Sequence, residues 1–193
     1  VGKTALSISL AKKINSEIIN ADSMQFYKYL NIGTAKIKEE EKDGVKHHLF
    51  DIVSPEEMYT IYDYQKDARK KIEEIIKRGK KVIIVGGSGL YIRAALYDYK
   101  LEEENIKLNF DDLSNEELYK KALEEDSFIT IHPNNRKRLI RFLEKSKLGK
   151  KEIPKAEKLY DFDIIGLTTE RSVLYDKINK RVDKMLEEGL LDE

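Results

Sequence analysis

Residues 82–89 read Val82-Ile83-Ile84-Val85-Gly86-Gly87-Ser88-Gly89, an apolar β-branched run followed at once by a glycine-rich turn. An uninterrupted apolar run of this length is typical of a strand buried on both faces, and such strands belong to parallel sheets covered by helices. Residues 90–97 have a helical pattern, so the turn joins a strand to a helix. This unit predicts an α/β fold.

The residues before it repeat the same alternation. Residues 4–14 have helical spacing, residues 17–20 form a short β-branched run, and residues 49–53 allow another short strand. Residues 62–78 are amphipathic and are closed by Gly79, a typical residue just past a helix end. Alternating helices and strands predict a P-loop-type parallel sheet flanked by helices on both faces.

The second half of the chain changes character near residue 100. Charged residues dominate residues 101–158, where residues 115–125 and 136–147 have helical patterns. Residues 162–167 return to a buried-strand pattern, and residues 171–188 to a helical one. We therefore expect a first part of the core over 1–100, a small helical insertion lobe over 101–158, and a return to the core over 159–193. Neither end carries a start or stop signal, so we expect the chain to be truncated at both.

Composition limits the partners. Among 193 residues, Lys+Arg and Asp+Glu both number 36, so the net charge is zero and RNA binding needs a local basic patch. The chain has no cysteine, which excludes disulfides and thiolate metal sites and fits a reducing compartment. No apolar run approaches the ~20 residues of a membrane span. We expect a cytoplasmic monomer with no membrane segment.

Gly2-Lys3-Thr4 matches the end of the phosphate-binding pattern G-x-x-x-x-G-K-[ST]. In that pattern the N–H groups at a helix start and the Lys3 ammonium hold phosphate oxygens, and the Thr4 hydroxyl binds Mg²⁺. Three residues alone also fit an ordinary helix start. The pattern indicates diphosphate or triphosphate binding without naming a reaction.

Asp22 and Ser88 each follow a predicted strand, at the edge where open parallel sheets bind their ligands. Both residues also have an ordinary interpretation. Asp22 fits a turn or helix cap, and Ser88 fits the cap of the next helix. The residues alone leave both alternatives open.

The three histidines do not predict a metal site. His47 and His48 are adjacent, so their side chains point in different directions, and no third ligand is spaced nearby. Their role stays open. His132 precedes Pro133 in a turn-like sequence and fits a structural role or an RNA contact better than a general base.

The densest positive cluster lies at the end of the insertion. It fits either a solvated helix face or a contact to RNA phosphates. Its members are Arg136, Lys137, Arg138, Arg141, Lys145, Lys147, Lys150 and Lys151. Arg171 and Arg181, on the last helix, each suit a leaving diphosphate because guanidinium pairs with phosphate oxygens in a bidentate way.

Six segments, taken in order, resemble the tRNA dimethylallyltransferase family. They are Val1-Gly2-Lys3-Thr4, Asn20-Ala21-Asp22-Ser23-Met24-Gln25-Phe26-Tyr27, Asn31-Ile32-Gly33-Thr34-Ala35-Lys36, His47-His48-Leu49-Phe50-Asp51, Val85-Gly86-Gly87-Ser88-Gly89-Leu90-Tyr91, and Ile131-His132-Pro133-Asn134-Asn135-Arg136-Lys137-Arg138-Leu139-Ile140-Arg141. They cover nearly the whole chain. Lys46 departs from the family, which usually has proline before the paired histidines.

The resemblance implies transfer of a dimethylallyl group from dimethylallyl diphosphate to N6 of the adenine next to the tRNA anticodon, with Mg²⁺. It implies that Asp22 is the catalytic base and that Ser88, where the family usually has threonine, acts near the amine and the diphosphate. The implied diphosphate-binding residues are Gly2, Lys3, Thr4 and Arg181, with Thr4 also on the metal. The implied tRNA-binding residues are Asp22, Ser23, Met24 and Gln25, with Lys137, Arg138, Leu139, Ile140 and Arg141.

Three rival functions share parts of this pattern. An adenylate prenyltransferase would use the same chemistry on a free nucleotide. A small-molecule kinase would use the loop for ATP, and a nucleic-acid-binding P-loop protein would catalyse nothing. The basic insertion favours RNA over a free nucleotide as the acceptor.

Overall fold

A computed structural model describes residues 2–99, 108–147 and 157–193. The chain divides into two compact units, Val1–Lys100 with Glu157–Glu193, and Leu101–Ala156. The elements of the first unit are α1 (Lys3–Ile14), β1 (Ser16–Asn20), a 3-10 helix (Glu39–Lys42), β2 (His47–His48), α2 (Ile61–Lys77), β3 (Lys81–Val85), α3 (Gly89–Leu96) and α6 (Arg171–Glu187). The second unit contains α4 (Asn115–Glu125) and α5 (Arg136–Lys147).

The three strands form one parallel sheet in the order β2-β1-β3. Ile18 pairs with Ile83, and Ile19 with Ile84, so side chains of the two strands alternate faces in step. The prediction of an α/β fold with a parallel sheet is confirmed.

Helices cover both faces of the sheet. On one face Ile18 packs with Ile8 and Ala11 of α1. On the other face Ile19 joins a larger core with Tyr64 of α2. All five residues of β1 are consequently buried, and each large aliphatic side chain taken out of water contributes about 1.5–3 kcal/mol.

The bounds of α2 follow from its end residues. The Thr60 hydroxyl accepts a hydrogen bond from Asp63 N at 3.2 Å, and the Asp63 carboxylate accepts from Thr60 N at 2.9 Å. This reciprocal cap satisfies two of the free N–H groups at a helix start. Past the other end, Gly79 takes φ 72°, the left-handed conformation that glycine adopts without strain.

The short strand predicted over residues 49–53 is wrong. The strand is His47–His48 instead, and Val53 only forms an isolated bridge with Tyr27. Leu49 and Asp51 have φ of 61° and 53°, which takes the backbone out of extended geometry directly after the histidines.

The buried strand predicted over residues 162–167 is also wrong. The segment forms no strand, and the side chains of Ile164 and Ile165 are 71% and 66% exposed. Among the described residues β3 pairs only with β1, so no neighbouring strand lies beside this segment. Its backbone has no ladder to join among the described residues. Phe162 still packs against Tyr97 of the larger core, but the two isoleucines do not follow it inside.

The second unit is a helical hairpin with its own small core. Leu118 and Ala122 of α4 pack with Leu139 and Leu143 of α5. The Arg136 guanidinium donates to the carbonyls of Phe110 and Leu113, both at 2.6 Å, and ties α5 to the segment before α4. Residues 101–107 and 148–156 of the predicted insertion, including Lys150 and Lys151, lie outside the described residues. Over the part of the chain that the structure describes, no helix is long and apolar enough to cross a membrane.

Candidate active site

Asp22 lies just past the carboxyl end of β1, and Asn20 fixes its position. The Asn20 side chain is buried; its Oδ1 accepts from Asp22 N at 2.9 Å, and its Nδ2 donates to Leu49 O at 3.0 Å. Asp22 Oδ1 in turn accepts from Met24 N at 3.1 Å. The second oxygen, Oδ2, lies toward Gly87. The carboxylate is therefore held by backbone geometry, with one oxygen left toward the site.

The glycine turn after β3 approaches Asp22 closely. A Cβ on Gly86 would lie 2.1 Å from Ala21 O, so only glycine fits there. A Cβ on Gly87 would lie 3.2 Å from Lys3 Nζ and 3.9 Å from Asp22 Oδ2. One point above Gly87 is thus within 4 Å of both a cation and a carboxylate.

The amino end of α1 supplies the cationic side of the site. Gly2 is the cap residue with φ 70°, no side chain of the described residues caps the helix, and its first turn has no acidic residue. The free N–H groups there and the helix dipole favour an anion. Lys3 adds a full positive charge at the same place.

A first cavity, with a volume of about 60 Å³, joins these groups. Four of the predicted site residues line it: Lys3, Thr4, Asp22 and Gln25. Its other walls are largely apolar, with Ile18, Ile37, Phe50 and Val85 among them. This cavity has a polar, cationic end and a hydrocarbon wall.

Asp22 also lines a second, open cavity of about 510 Å³. Met24 and Arg181 line it together with Asp22, and Glu193 lies at its wall. Arg181 therefore shares a cavity with Asp22 and not with Lys3 and Thr4, beside which the family resemblance placed it. Ser23 and Ser88 line neither of these two cavities. Ser88 occupies the cap position of α3, although its side chain makes no capping hydrogen bond.

The paired histidines have separate surroundings. His47 lines the first cavity, and its Nδ1 lies 2.7 Å from Val45 O, which fixes that nitrogen as the donor. Burial lowers the His47 pKa, so the ring is neutral at pH 7 and its Nε2 is an acceptor. Within the described residues no three His, Cys, Asp or Glu side chains gather as a metal site.

His48 belongs to a charge cluster on Glu17, a buried residue of β1. His48 Nε2 lies 2.6 Å from a Glu17 oxygen, and Arg78 and Lys80 reach the same carboxylate at 2.7 and 3.1 Å. Burial alone would raise the Glu17 pKa, but the hydrogen bonds from His48 and Lys80 and the Arg78 charge lower it to about 2. Glu17 is thus a structural carboxylate, and the sequence did not single it out.

The predicted RNA-contacting segment lies on α5 of the second unit. Lys137, Arg138 and Arg141 are exposed there. Leu139 is fully buried, and Ile140 is half-buried and packs against the same core. His132 accepts a hydrogen bond from Asn134 N at 3.2 Å in the preceding turn, which is a structural contact.

The sheet, the unblocked helix end and the carboxylate at the strand edge define an α/β protein with a site that holds both a cation and a carboxylate at the carboxyl edge of a parallel sheet. The family model described as IPP transferase matches residues 25–193. The chain belongs to this family.

The chain is also similar to individual members of this family. The chain is 48% identical to the tRNA dimethylallyltransferase of Bacillus licheniformis and 47% identical to that of Enterococcus faecalis, in each case over 100% of the chain, covering 67% and 68% of the relative. Among solved structures it is similar to the full-length tRNA isopentenylpyrophosphate transferase of Bacillus halodurans, with a TM-score of 0.70 and 43% identity over 99% of the chain and 64% of that protein. A eukaryotic dimethylallyltransferase acting on tRNA gives a TM-score of 0.77 at 31% identity, over 99% of the chain and 51% of that protein. The chain thus spans about two thirds of its bacterial relatives.

Proposed function

We propose that the full-length protein containing this chain transfers a dimethylallyl group from dimethylallyl diphosphate to N6 of an adenine in tRNA, the one next to the anticodon. One observation carries the proposal. The Asp22 carboxylate and the Lys3 ammonium both lie within 4 Å of one point above Gly87. A prenyl transfer to an amine needs these two charges there, one to take a proton and one to hold the leaving group.

The two cavities differ in the way that the substrates require. The small, cation-lined cavity has room for a phosphate group or a few water molecules. The larger one is open and suits a flipped-out base. Asp22 lines both, so it lies where the donor and the acceptor would meet. Taking an adenine out of its stack costs a few kcal/mol, and phosphate contacts from Lys137, Arg138 and Arg141 would offset that cost.

The proposed step is a substitution at the allylic carbon C1. The bond between C1 and the diphosphate oxygen breaks, and its electron pair leaves with the diphosphate. The N6 lone pair forms the new C–N bond, and the N6 proton passes to the Asp22 carboxylate. The amine is a weak nucleophile because its lone pair is delocalised into the ring, so proton removal is useful only as the nitrogen becomes acidic during bond formation.

The leaving diphosphate would be held by the residues at the start of α1. The Lys3 ammonium and the N–H groups after Gly2 are in place before the reaction, so they stabilise the developing charge without reorganising. Arg181 lines the second cavity and not the first, so it would contact the diphosphate only if the ligand extended across both cavities. Ser88 enters the proposal only as a hydroxyl at the start of α3.

The donor set fits a magnesium ion carried by the diphosphate. The Thr4 hydroxyl lines the first cavity beside Lys3, and hard oxygen ligands are those that Mg²⁺ prefers. Mg²⁺ is usually bound by one or two protein oxygens together with substrate phosphates, so a dedicated cage is not required. When bound, the ion neutralises charge on the diphosphate.

We propose further that the protein works in the cytoplasm, since the lack of cysteine in this chain fits a reducing compartment.

Isotope-labelled dimethylallyl diphosphate, incubated with unmodified tRNA or with AMP, tests the function in the full-length protein. We expect label in tRNA, dependent on Mg²⁺, and none in AMP. Label in AMP but not in tRNA would assign the protein to the adenylate prenyltransferases. ATP turnover without label transfer would assign it to the kinases.

A further inference from the structure

The carboxylate of Glu193 is held by three consecutive backbone N–H groups of the loop after β1. Ile32 N and Gly33 N donate to its two oxygens, each at 2.8 Å, and Asn31 N also donates. Three charge-assisted hydrogen bonds to one side chain are stronger than neutral ones. They also fix the orientation of the turn formed by residues 31–33.

This contact is one of three that join the end of α6 to the same loop. Leu190 packs against Gly33, where a Cβ would lie 3.1 Å from its Cδ1, and Lys38 pairs with Glu188 at 3.0 Å. Along the described length of α6 only Met185 is buried. The helix is therefore located mainly by its carboxyl end.

The loop that Glu193 holds reaches the proposed active site. Gln25 Nε2 donates to Thr34 O at 3.0 Å and to Ala35 O at 3.3 Å. The next residue, Lys36, donates from Nζ to Tyr27 O at 2.7 Å. The carbonyls of this loop thus set the direction of the Gln25 side chain, which lines the first cavity beside Asp22.

The helix that Glu193 anchors also reaches the site. Arg181 of α6 lines the second cavity with Asp22, and Glu193 and Gly33 line that cavity too. One carboxylate thus touches the loop that orients Gln25 and lies shortly after the helix that carries Arg181. Displacing it would move side chains in both cavities.

We propose that Glu193 is a positioning residue, whose carboxylate clamps the turn at residues 31–33 and thereby sets Gln25 and Arg181 relative to Asp22. The role in catalysis rests on the proposed function. The contact itself does not, so the two can be tested apart. The hydrogen bonds from Gly33, Ile32 and Asn31 lower the Glu193 pKa although burial raises it, so the clamp is ionised at neutral pH.

Glu193→Gln in the full-length protein is the test, with Asp192→Asn as its matched control. Glutamine keeps the size of the side chain, but its NH₂ group would face a backbone N–H and lose at least one bond. Asp192 is the neighbouring exposed carboxylate, and it undergoes the same change of acid to amide. We expect amide hydrogen exchange at residues 31–33 to accelerate about tenfold or more in Glu193→Gln and not in the control.

Steady-state transfer of labelled prenyl to tRNA is measured in parallel, well below the melting temperature of each variant. We expect kcat to fall about tenfold in Glu193→Gln and to be unchanged in Asp192→Asn. Unchanged exchange at residues 31–33 would overturn the clamp. Faster exchange with unchanged kcat would overturn the positioning role and leave a structural contact that lowers only the melting temperature. A wild-type protein that transfers nothing to tRNA would overturn the proposed function, and the catalytic role with it, while the exchange data would still judge the contact.

Discussion

Residues 17–22 and residues 162–167 are alike in sequence and differ in structure. Each contains a pair of isoleucines and one aspartate. The first contributes most of the central strand of the sheet, with all of β1 buried and a strand hydrogen-bonded on each side. The second has no strand partner among the described residues, and its isoleucines are exposed. A strand sequence becomes a strand only where a neighbour supplies the ladder and a second layer covers its face.

The difference also decides where chemistry can be placed. After β1, the side chain of Asn20 and the backbone of Met24 hold Asp22 in one orientation. Asp163, in the unpaired segment, is exposed. Precise placement of a reacting group requires the kind of support that Asp22 receives from its neighbours. The following changes therefore pair a site on or beside β1 with a matched site elsewhere.

The largest effect is expected at the two aspartates. Asp22→Asn in the full-length protein removes the proton acceptor and should lower kcat for prenyl transfer to tRNA by about 10² to 10⁴. Asp163→Asn should leave kcat unchanged. Comparable losses in both variants would mean that the effect comes from folding and not from the base.

The glycine turn is the next contrast. Gly86→Ala places a Cβ against Ala21 O and should lower the free energy of unfolding by about 3 kcal/mol or more, because backbone must move. Gly89→Ala, where no atom lies within 4 Å of the added Cβ, should change it by less than about 1 kcal/mol. Urea unfolding of each variant measures this, and a tolerated Gly86→Ala would rule out the close approach of the two strand ends.

Two isoleucines probe burial directly. In the 193-residue chain, Ile19→Ala should cost about 3 kcal/mol of unfolding free energy, since the side chain is fully buried. Ile165→Ala should cost less than about 0.5 kcal/mol because the side chain is mostly exposed. Equal losses of unfolding free energy at both positions would support the buried strand that the sequence predicted over residues 162–167.

The smallest effect concerns acid stability. The Glu17 pKa is lowered from 4.5 to about 2, so its contribution is complete above about pH 5 and is lost as the pH falls toward 2. Glu17→Gln should lower the free energy of unfolding by about 2 kcal/mol at pH 7. Between pH 5 and 2, the free energy of unfolding should then fall less in this variant than in the wild type. Glu39→Gln, at an exposed pair with Lys42, should behave like the wild type. If the free energy of unfolding fell in parallel with pH in wild type and Glu17→Gln, Glu17 would not be the source of the acid sensitivity.

The sequence predicted elements whose signals are local. The helical spacing of residues 62–78, the glycine after them and the apolar run at 82–85 each carry their own information, and the structure confirms them with bounds shifted by one residue. The polar edge of the sheet was predictable from the strands themselves, because strand ends in a parallel sheet meet at one edge.

What the sequence did not predict depends on distant partners. The Glu193 clamp joins residues about 160 positions apart, and nothing near either end marks it. The sequence assigned Asn20 no role, because its side-chain hydrogen bonds to Asp22 N and Leu49 O form only in the folded loop. Leu139 was assigned to RNA by family position, whereas the structure buries its side chain against α4.

A crystal structure of the full-length protein with an unreactive thio analogue of dimethylallyl diphosphate is the most direct test of the site. We predict the diphosphate at the start of α1, hydrogen-bonded to Lys3 Nζ, and C1 of the prenyl group on the Asp22 side of Gly87. A diphosphate bound away from Lys3, or a prenyl carbon separated from Asp22 by packed side chains, would contradict the proposed meeting point of cation and carboxylate.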